Sequence, residues 1–210
     1  MAKVKAVIFD MDGTVADTLA SIAGFGNAAL KAHGYPEIET ERYRRLVGNG
    51  ADVLMRRILD AVSAQPYTEA DVQALRATYD ALYESDPTRL VAPYPRIPAL
   101  LRDVRDDGVK TAVLSNKPDN MTRFIAGALF PGLFDIVHGQ RAGVPKKPDP
   151  AAVFEICVAL GVRPAECLYV GDSGVDMQTG ANAGMPTAGV TWGFRGADEL
   201  RQNGAVHLAD

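Results

Sequence analysis

Short apolar runs, several ending in a polar cluster, alternate with helical patterns along this chain, and that alternation constrains its fold more than any other feature. Residues 4–9 (VKAVIF) form the first run and stop at Asp10-Met11-Asp12-Gly13. Residues 109–114 lead into Ser115-Asn116, and residues 168–170 into Gly171-Asp172. Residues 136–138, 187–190 and 206–208 complete the series. A β-branched run of this length, closed by a loop, reads as a buried strand. Helical patterns over residues 97–107, 119–129, 150–160 and 176–183 fill the gaps. Strands alternating with helices predict an α/β fold, a Rossmann-like, doubly wound parallel sheet with helices on both faces.

Residues 16–85 break the alternation, because they contain no convincing strand. Ala51, Leu54, Met55, Ile58, Leu59 and Val62 fall on a single helical face. Thr68 to Asp71 has the form of a helix start, with the Thr hydroxyl capping an orphan amide. Val72, Leu75, Tyr79 and Leu82 continue that helix, and residues 19–32 form another, stopped near Gly34 and Pro36. The expected organisation is a catalytic core of residues 1–15 and 86–210, interrupted by an all-helical inserted domain of residues 16–85. An insertion at that point covers the end of the first strand.

Composition narrows the function classes. Hydrophobic residues make up 47% and charged residues 23%, enough for a large core without staples. The net charge of −4 argues against a nucleic-acid-binding surface, which calls for a basic excess. Two cysteines, Cys157 and Cys167, suit a reducing compartment. The apolar start is too short for a signal peptide, and no stretch approaches a membrane span. These features predict a cytoplasmic protein with no membrane partner.

Four polar clusters fall at the carboxyl ends of four predicted strands, the edge where open α/β sheets bind ligands. Asp10 and Asp12, two residues apart, point the same way in extended backbone and need a cation or a proton between them. Mg2+ fits, being a hard ion that takes oxygen ligands beside phosphates. Gly13 and Thr14 offer backbone amides to an anion. Ser115 and Asn116 carry donors for a phosphate oxygen, though a helix N-cap is the plainer reading of that pair. Lys147, set beside prolines, can hold a positive charge over an anion; a solvated basic pair is the bland alternative. Asp172 and Asp176 can complete a metal site or simply cap a helix.

Together the four clusters are far more specific than any one of them. DMDGT at Asp10 to Thr14, SN at Ser115-Asn116, KPDP at Lys147 to Pro150 and GDSGVD at Gly171 to Asp176 resemble, in that order, the haloacid dehalogenase-like hydrolase superfamily. The resemblance covers nearly the whole chain, and the helical insertion looks like that superfamily's cap. Val47-Gly48-Asn49-Gly50 and Pro93-Tyr94-Pro95 are similar to the phosphoglycolate phosphatase branch, although Gly48-Asn49-Gly50 also suits a plain turn.

The resemblance implies a Mg2+-dependent phosphomonoester hydrolase acting on a small phosphorylated metabolite, 2-phosphoglycolate or a similar acid. It makes Asp10 the nucleophile and Asp12 the general acid and base. It gives the metal a carboxylate oxygen of Asp10, the backbone carbonyl of Asp12 and the side chain of Asp172, with Asp176 acting directly or through water. Ser115, Lys147 and the amides near Gly13 and Thr14 neutralise the phosphoryl oxygens. Arg45, Asn49 and Arg56 of the cap are candidates to meet a substrate carboxylate, or else are solvated helix-face groups. Pyrophosphatase, nucleotidase and sugar phosphomutase activities are alternatives on the same fold. A dehalogenase fits less well because Asp12 is present, and a phosphonatase because Lys31 is the one lysine in residues 16–85. A non-catalytic regulator has little reason to keep Asp10, Asp12, Ser115, Lys147 and Asp172 together.

Overall fold

The computed structural model describes residues 4–210; Met1, Ala2 and Lys3, part of the expected segment 1–15, lie outside the described residues. In chain order the elements are β1 (Ala6–Phe9), β2 (Ala16–Asp17), α1 (Leu19–Ala32), α2 (Tyr43–Leu46), α3 (Ala51–Val62) and α4 (Glu69–Ser85). There follow β3 (Ala92–Pro93), α5 (Ile97–Asp106), β4 (Lys110–Pro118), α6 (Asp119–Leu129), β5 (Ile136–Gln140) and α7 (Ala151–Leu160). The chain ends with β6 (Cys167–Gly171), α8 (Gly174–Asn182), β7 (Thr187–Val190), α9 (Ala197–Gln202) and β8 (His207–Ala209). Two compact units result: Met1–Asp17 with Ala92–Asp210, and Thr18–Val91.

The first unit is an α/β sheet with strand order β5-β4-β1-β6-β7-β8, every neighbouring pair parallel. β1 lies between β4 and β6, with Ile8 opposite both Ala112 and Tyr169. Its four residues are all buried, which is why it reads as one continuous apolar run. Because the strands are parallel, the carboxyl ends of β1, β4 and β6 emerge on one edge. On one face of the sheet Ile8, Ala112, Leu114 and Tyr169 pack with Val153, Ile156 and Cys157 of α7. Burying a side chain such as Ile156 stabilises by roughly 1.5–3 kcal/mol. Cys157 and Cys167 are free, buried thiols in this cluster. β2 and β3 form a separate antiparallel pair, Ala16 opposite Pro93 and Asp17 opposite Ala92.

The second unit, Thr18–Val91, is all-helical. The α3 stripe buries Leu54, Met55, Ile58 and Leu59. α4 starts at a capping box: the Asp71 N–H donates to Thr68 Oγ1, and the Thr68 N–H donates to Asp71 Oδ2. It then buries Val72, Leu75, Tyr79 and Tyr83, and Tyr83 stacks at 4.7 Å on Phe25 of α1. Between α1 and α2, Asn27 holds Ile38 by both its N–H and its C=O and accepts from the Tyr43 hydroxyl. Among the described residues, no helix is long and apolar enough to cross a membrane.

Candidate active site

The loop after β1 carries Asp10 and Asp12. The Asp10 N–H donates to Val170 O of β6, anchoring the nucleophile candidate to the sheet. Beyond it the chain folds back tightly. The amides of Thr14, Val15 and Ala16 all point at Met11 O, and the Gly13 N–H donates to Ala16 O. The Gly13 and Thr14 amides expected at an anion therefore have partners within the turn. The Thr14 hydroxyl is buried and makes no hydrogen bond. Gly13 has φ +85, and a Cβ there would sit 2.2 Å from Asp172 Oδ2; a Cβ on Gly193 would sit 2.4 Å from the same oxygen. Only bare backbone leaves that carboxylate its place.

Lys147 is the hub. Its side chain is 5% exposed, whereas the neighbouring Lys146 is exposed. Its ammonium donates to Asp10 Oδ1 and to Asp176 Oδ1, both at 2.7 Å. Asn116 fixes the backbone beneath it: Lys147 N–H donates to Asn116 Oδ1 at 2.9 Å, and Asn116 Nδ2 donates to Lys147 O at 3.2 Å. Asn116, expected at the phosphate, thus spends its amide on placing the lysine. Ser115 is buried, and its Oγ accepts from Lys117 N–H.

Asp176 does two things at once. Oδ1 meets Lys147, while Oδ2 accepts from the hydroxyl and the N–H of Ser173 and so caps α8. Asp172, at the end of β6, accepts from Phe194 N–H at 2.6 Å. Asp10, Asp172 and Asp176 together present one carboxylate oxygen each, all within 4.8 Å of one another. Burial, then the charge of Asp176, pushes Asp10 up to about 7 despite Lys147. Burial, then Asp176 and Asp10, pushes Asp172 well above the usual carboxylate range. Burial pulls Lys147 down, but its two carboxylate partners outweigh that and hold it well above an ordinary lysine.

This donor set fits a hard divalent cation. It offers only carboxylate oxygens, they converge, and the raised proton affinity of Asp10 and Asp172 signals negative charge in search of a counter-ion. Asp12 is outside that triad. Its Oδ1 lies 3.3 Å from Lys117 Nζ, and Lys117 is 7% exposed. Lys117 is the site residue that motif reading missed. The expected strand ends at residue 114, whereas β4 runs on through Pro118 and carries Lys117 two positions beyond Ser115.

The expected cap residues have partners inside the helical unit or face solvent. Asn49, at φ +61, accepts from Arg57, which also donates to Leu46 O and Val47 O. Arg56 pairs with Glu69 at 2.6 Å, and Arg45 is exposed.

Comparison with known proteins follows the same lines. A family model described as haloacid dehalogenase-like hydrolase matches residues 4–184. A phosphoglycolate phosphatase of Pseudomonas putida is 37% identical over 198 residues, covering 90% of this chain and 70% of that protein. One from Aquifex aeolicus is 31% identical, covering 90% of this chain and 86% of that protein. A crystal structure described as a predicted phosphoglycolate phosphatase from Haemophilus somnus superposes with a TM-score of 0.92 at 28% identity, covering 100% of this chain and 95% of that one.

Proposed function

The chain belongs to the haloacid dehalogenase-like hydrolases and is a phosphatase, and from that premise we propose that it cleaves 2-phosphoglycolate, or a similarly small phosphorylated acid, with Mg2+ and through an aspartyl-phosphate intermediate. The observation that carries the reading is the convergence of Asp10, Asp172 and Asp176, with Lys147 bridging two of them. The substrate assignment is supported by the named activity of the relatives at 31% and 37% identity.

Asp10 attacks phosphorus, and the bond from phosphorus to the leaving oxygen breaks. Asp12 gives that oxygen its proton. In the second half Asp12 takes a proton from water, the water oxygen attacks phosphorus, and the bond to Asp10 breaks to release phosphate. Splitting one displacement into two lowers each barrier. Lys147 and Ser115 hold the phosphoryl oxygens as charge shifts across them. Asp10, Asp172 and Asp176 would hold the Mg2+, with the Asp12 carbonyl as the remaining protein ligand; when bound, the ion supplies positive charge to the phosphoryl group. The helical unit, residues 18–91, acts as the cap that excludes water and limits substrate size. Arg45 stays a cap candidate for substrate contact. Asn49 and Arg56 act there only by giving up the partners they have. The free thiols Cys157 and Cys167 support a reducing, cytoplasmic setting.

Trapping of the phosphoryl-enzyme tests the intermediate. Acid quenching of Asp12→Ala after mixing with an aryl phosphate, whose leaving group needs no general acid, is expected to leave a phosphoryl group on Asp10, read by peptide mass spectrometry, and Asp10→Asn is expected to lose about 10^4-fold or more in kcat with its fold intact. No phosphoryl group on Asp10 in the trapped variant, or near-normal turnover of Asp10→Asn, overturns the mechanism.

A further inference from the structure

We propose that Lys117 is the specificity-determining residue for this site, the cation that receives the carboxylate on the leaving-group side of the substrate. The inference rests on the reading of the substrate as a small phosphorylated acid.

The two buried lysines of the site divide the work. Lys147 is committed to Asp10 and Asp176, on the side where phosphorus is attacked. Lys117 instead lies 3.3 Å from Asp12 Oδ1, with its side chain 7% exposed. Asp12 passes its proton to the ester oxygen, so that oxygen must come within hydrogen-bond reach of the Asp12 carboxyl, about 2.6–3.2 Å. In phosphoglycolate the carboxylate carbon is two bonds from that same oxygen. A cation held against Asp12 is therefore within reach of the carboxylate as soon as the leaving oxygen is in place. An ammonium suits the task, since its three donors serve Asp12 and a second anion together.

Burial makes the contact discriminating. A carboxylate that enters a closed site unpaired bears a desolvation penalty which a preplaced cation offsets. A neutral substrate of the same length leaves Lys117 with Asp12 and gains nothing. The strand supports the placement: Lys117 N–H donates to Ser115 Oγ at 3.2 Å, which ties it to the phosphate-side residue. Of the cap candidates, Arg56 already has Glu69 as its partner.

The test compares kcat/KM on 2-phosphoglycolate with kcat/KM on 2-hydroxyethyl phosphate, which has the same chain length and an uncharged end. Wild type, Lys117→Met and Lys117→Arg are measured in parallel, with Lys117→Gln substituting if the Met variant does not fold. Damage to Asp12 falls on both substrates and cancels in the ratio. The preference for phosphoglycolate is expected to fall at least about tenfold in Lys117→Met, chiefly through KM, and to return in part in Lys117→Arg. A preference that stays within about twofold of wild type in the Met or Gln variant overturns the role of Lys117 and leaves the phosphatase reading standing. A wild type that hydrolyses both esters equally overturns the substrate class, and the inference with it. A wild type that hydrolyses neither overturns both readings.

Discussion

The two units bury different things. Among the described residues, every Asp or Lys buried as a whole residue, namely Asp10, Lys147, Asp172 and Asp176, belongs to the sheet unit, as does Lys117, whose side chain is 7% exposed. In the helical unit the buried polar side chains are Thr18 and Ser21, besides tyrosines, and the charged groups pair nearer the surface, as Arg76 does with Asp52 and Asp80. The helical unit follows the ordinary rule that apolar stripes go in and charge stays out. The sheet unit breaks that rule at one edge, where three carboxylates crowd together and the proton affinities of Asp10 and Asp172 rise. Stability alone would not select such a cluster, so its presence marks the place where the fold serves chemistry.

The comparison can be broken most sharply at Asp172. Asp172→Asn removes a charge that the fold disfavours and keeps an acceptor for the Phe194 amide. Phosphate release with Mg2+ is expected to drop about 10^2–10^3-fold. Melting of the metal-free protein is expected to move up by about 2–4 °C for each kcal/mol of repulsion relieved. A lower metal-free melting temperature would contradict the reading of the triad as a stability cost.

A pH series on the metal-free protein sharpens the same point. Asp10 sits at about 7 in the folded chain against 3.8 ordinarily, so the folded state keeps a proton that the unfolded chain has released. Its contribution to stability is fully present below about pH 4 and is lost as pH rises through about 7. Mg2+ requires ionised carboxylates and should raise the melting temperature more at about pH 8 than at about pH 5. Equal shifts at the two values, read by thermal denaturation, would count against Asp10 as a ligand.

The smallest effect belongs to the helical unit. Thr68→Ala removes the capping-box hydroxyl of α4 and should lower the melting temperature by about 2–4 °C without changing kcat. A change in turnover larger than in stability would mean that this helix end takes part in the reaction.

What the sequence disclosed follows from how local each signal is. The α3 stripe and the Thr68 cap are set by residues within a few positions of one another, and both could be read directly. The motifs after β1, β4 and β6 were legible because parallel strands deliver their polar termini to one edge, whereas the expected strand-end place of Lys147 is a loop seven positions beyond β5. Less legible was anything that depends on distant partners. β4 continues to Pro118 because pairing resumes with Gln140 after an irregularity, which no local pattern announces. Asn116 gives its amide to Lys147, 31 positions away, although its own neighbourhood suggests a cap or a phosphate donor. α9 escaped notice as a short, mostly polar segment with Leu200 as its buried anchor.

The two-residue ladder of β2 and β3 has a consequence of its own. Asp17, where the sheet unit hands the chain over, pairs directly with Ala92, where it takes the chain back. The helical unit is thus a cassette with adjoining ends. Descendants could lengthen it, shrink it or transplant another in its place without rewiring a strand of the sheet.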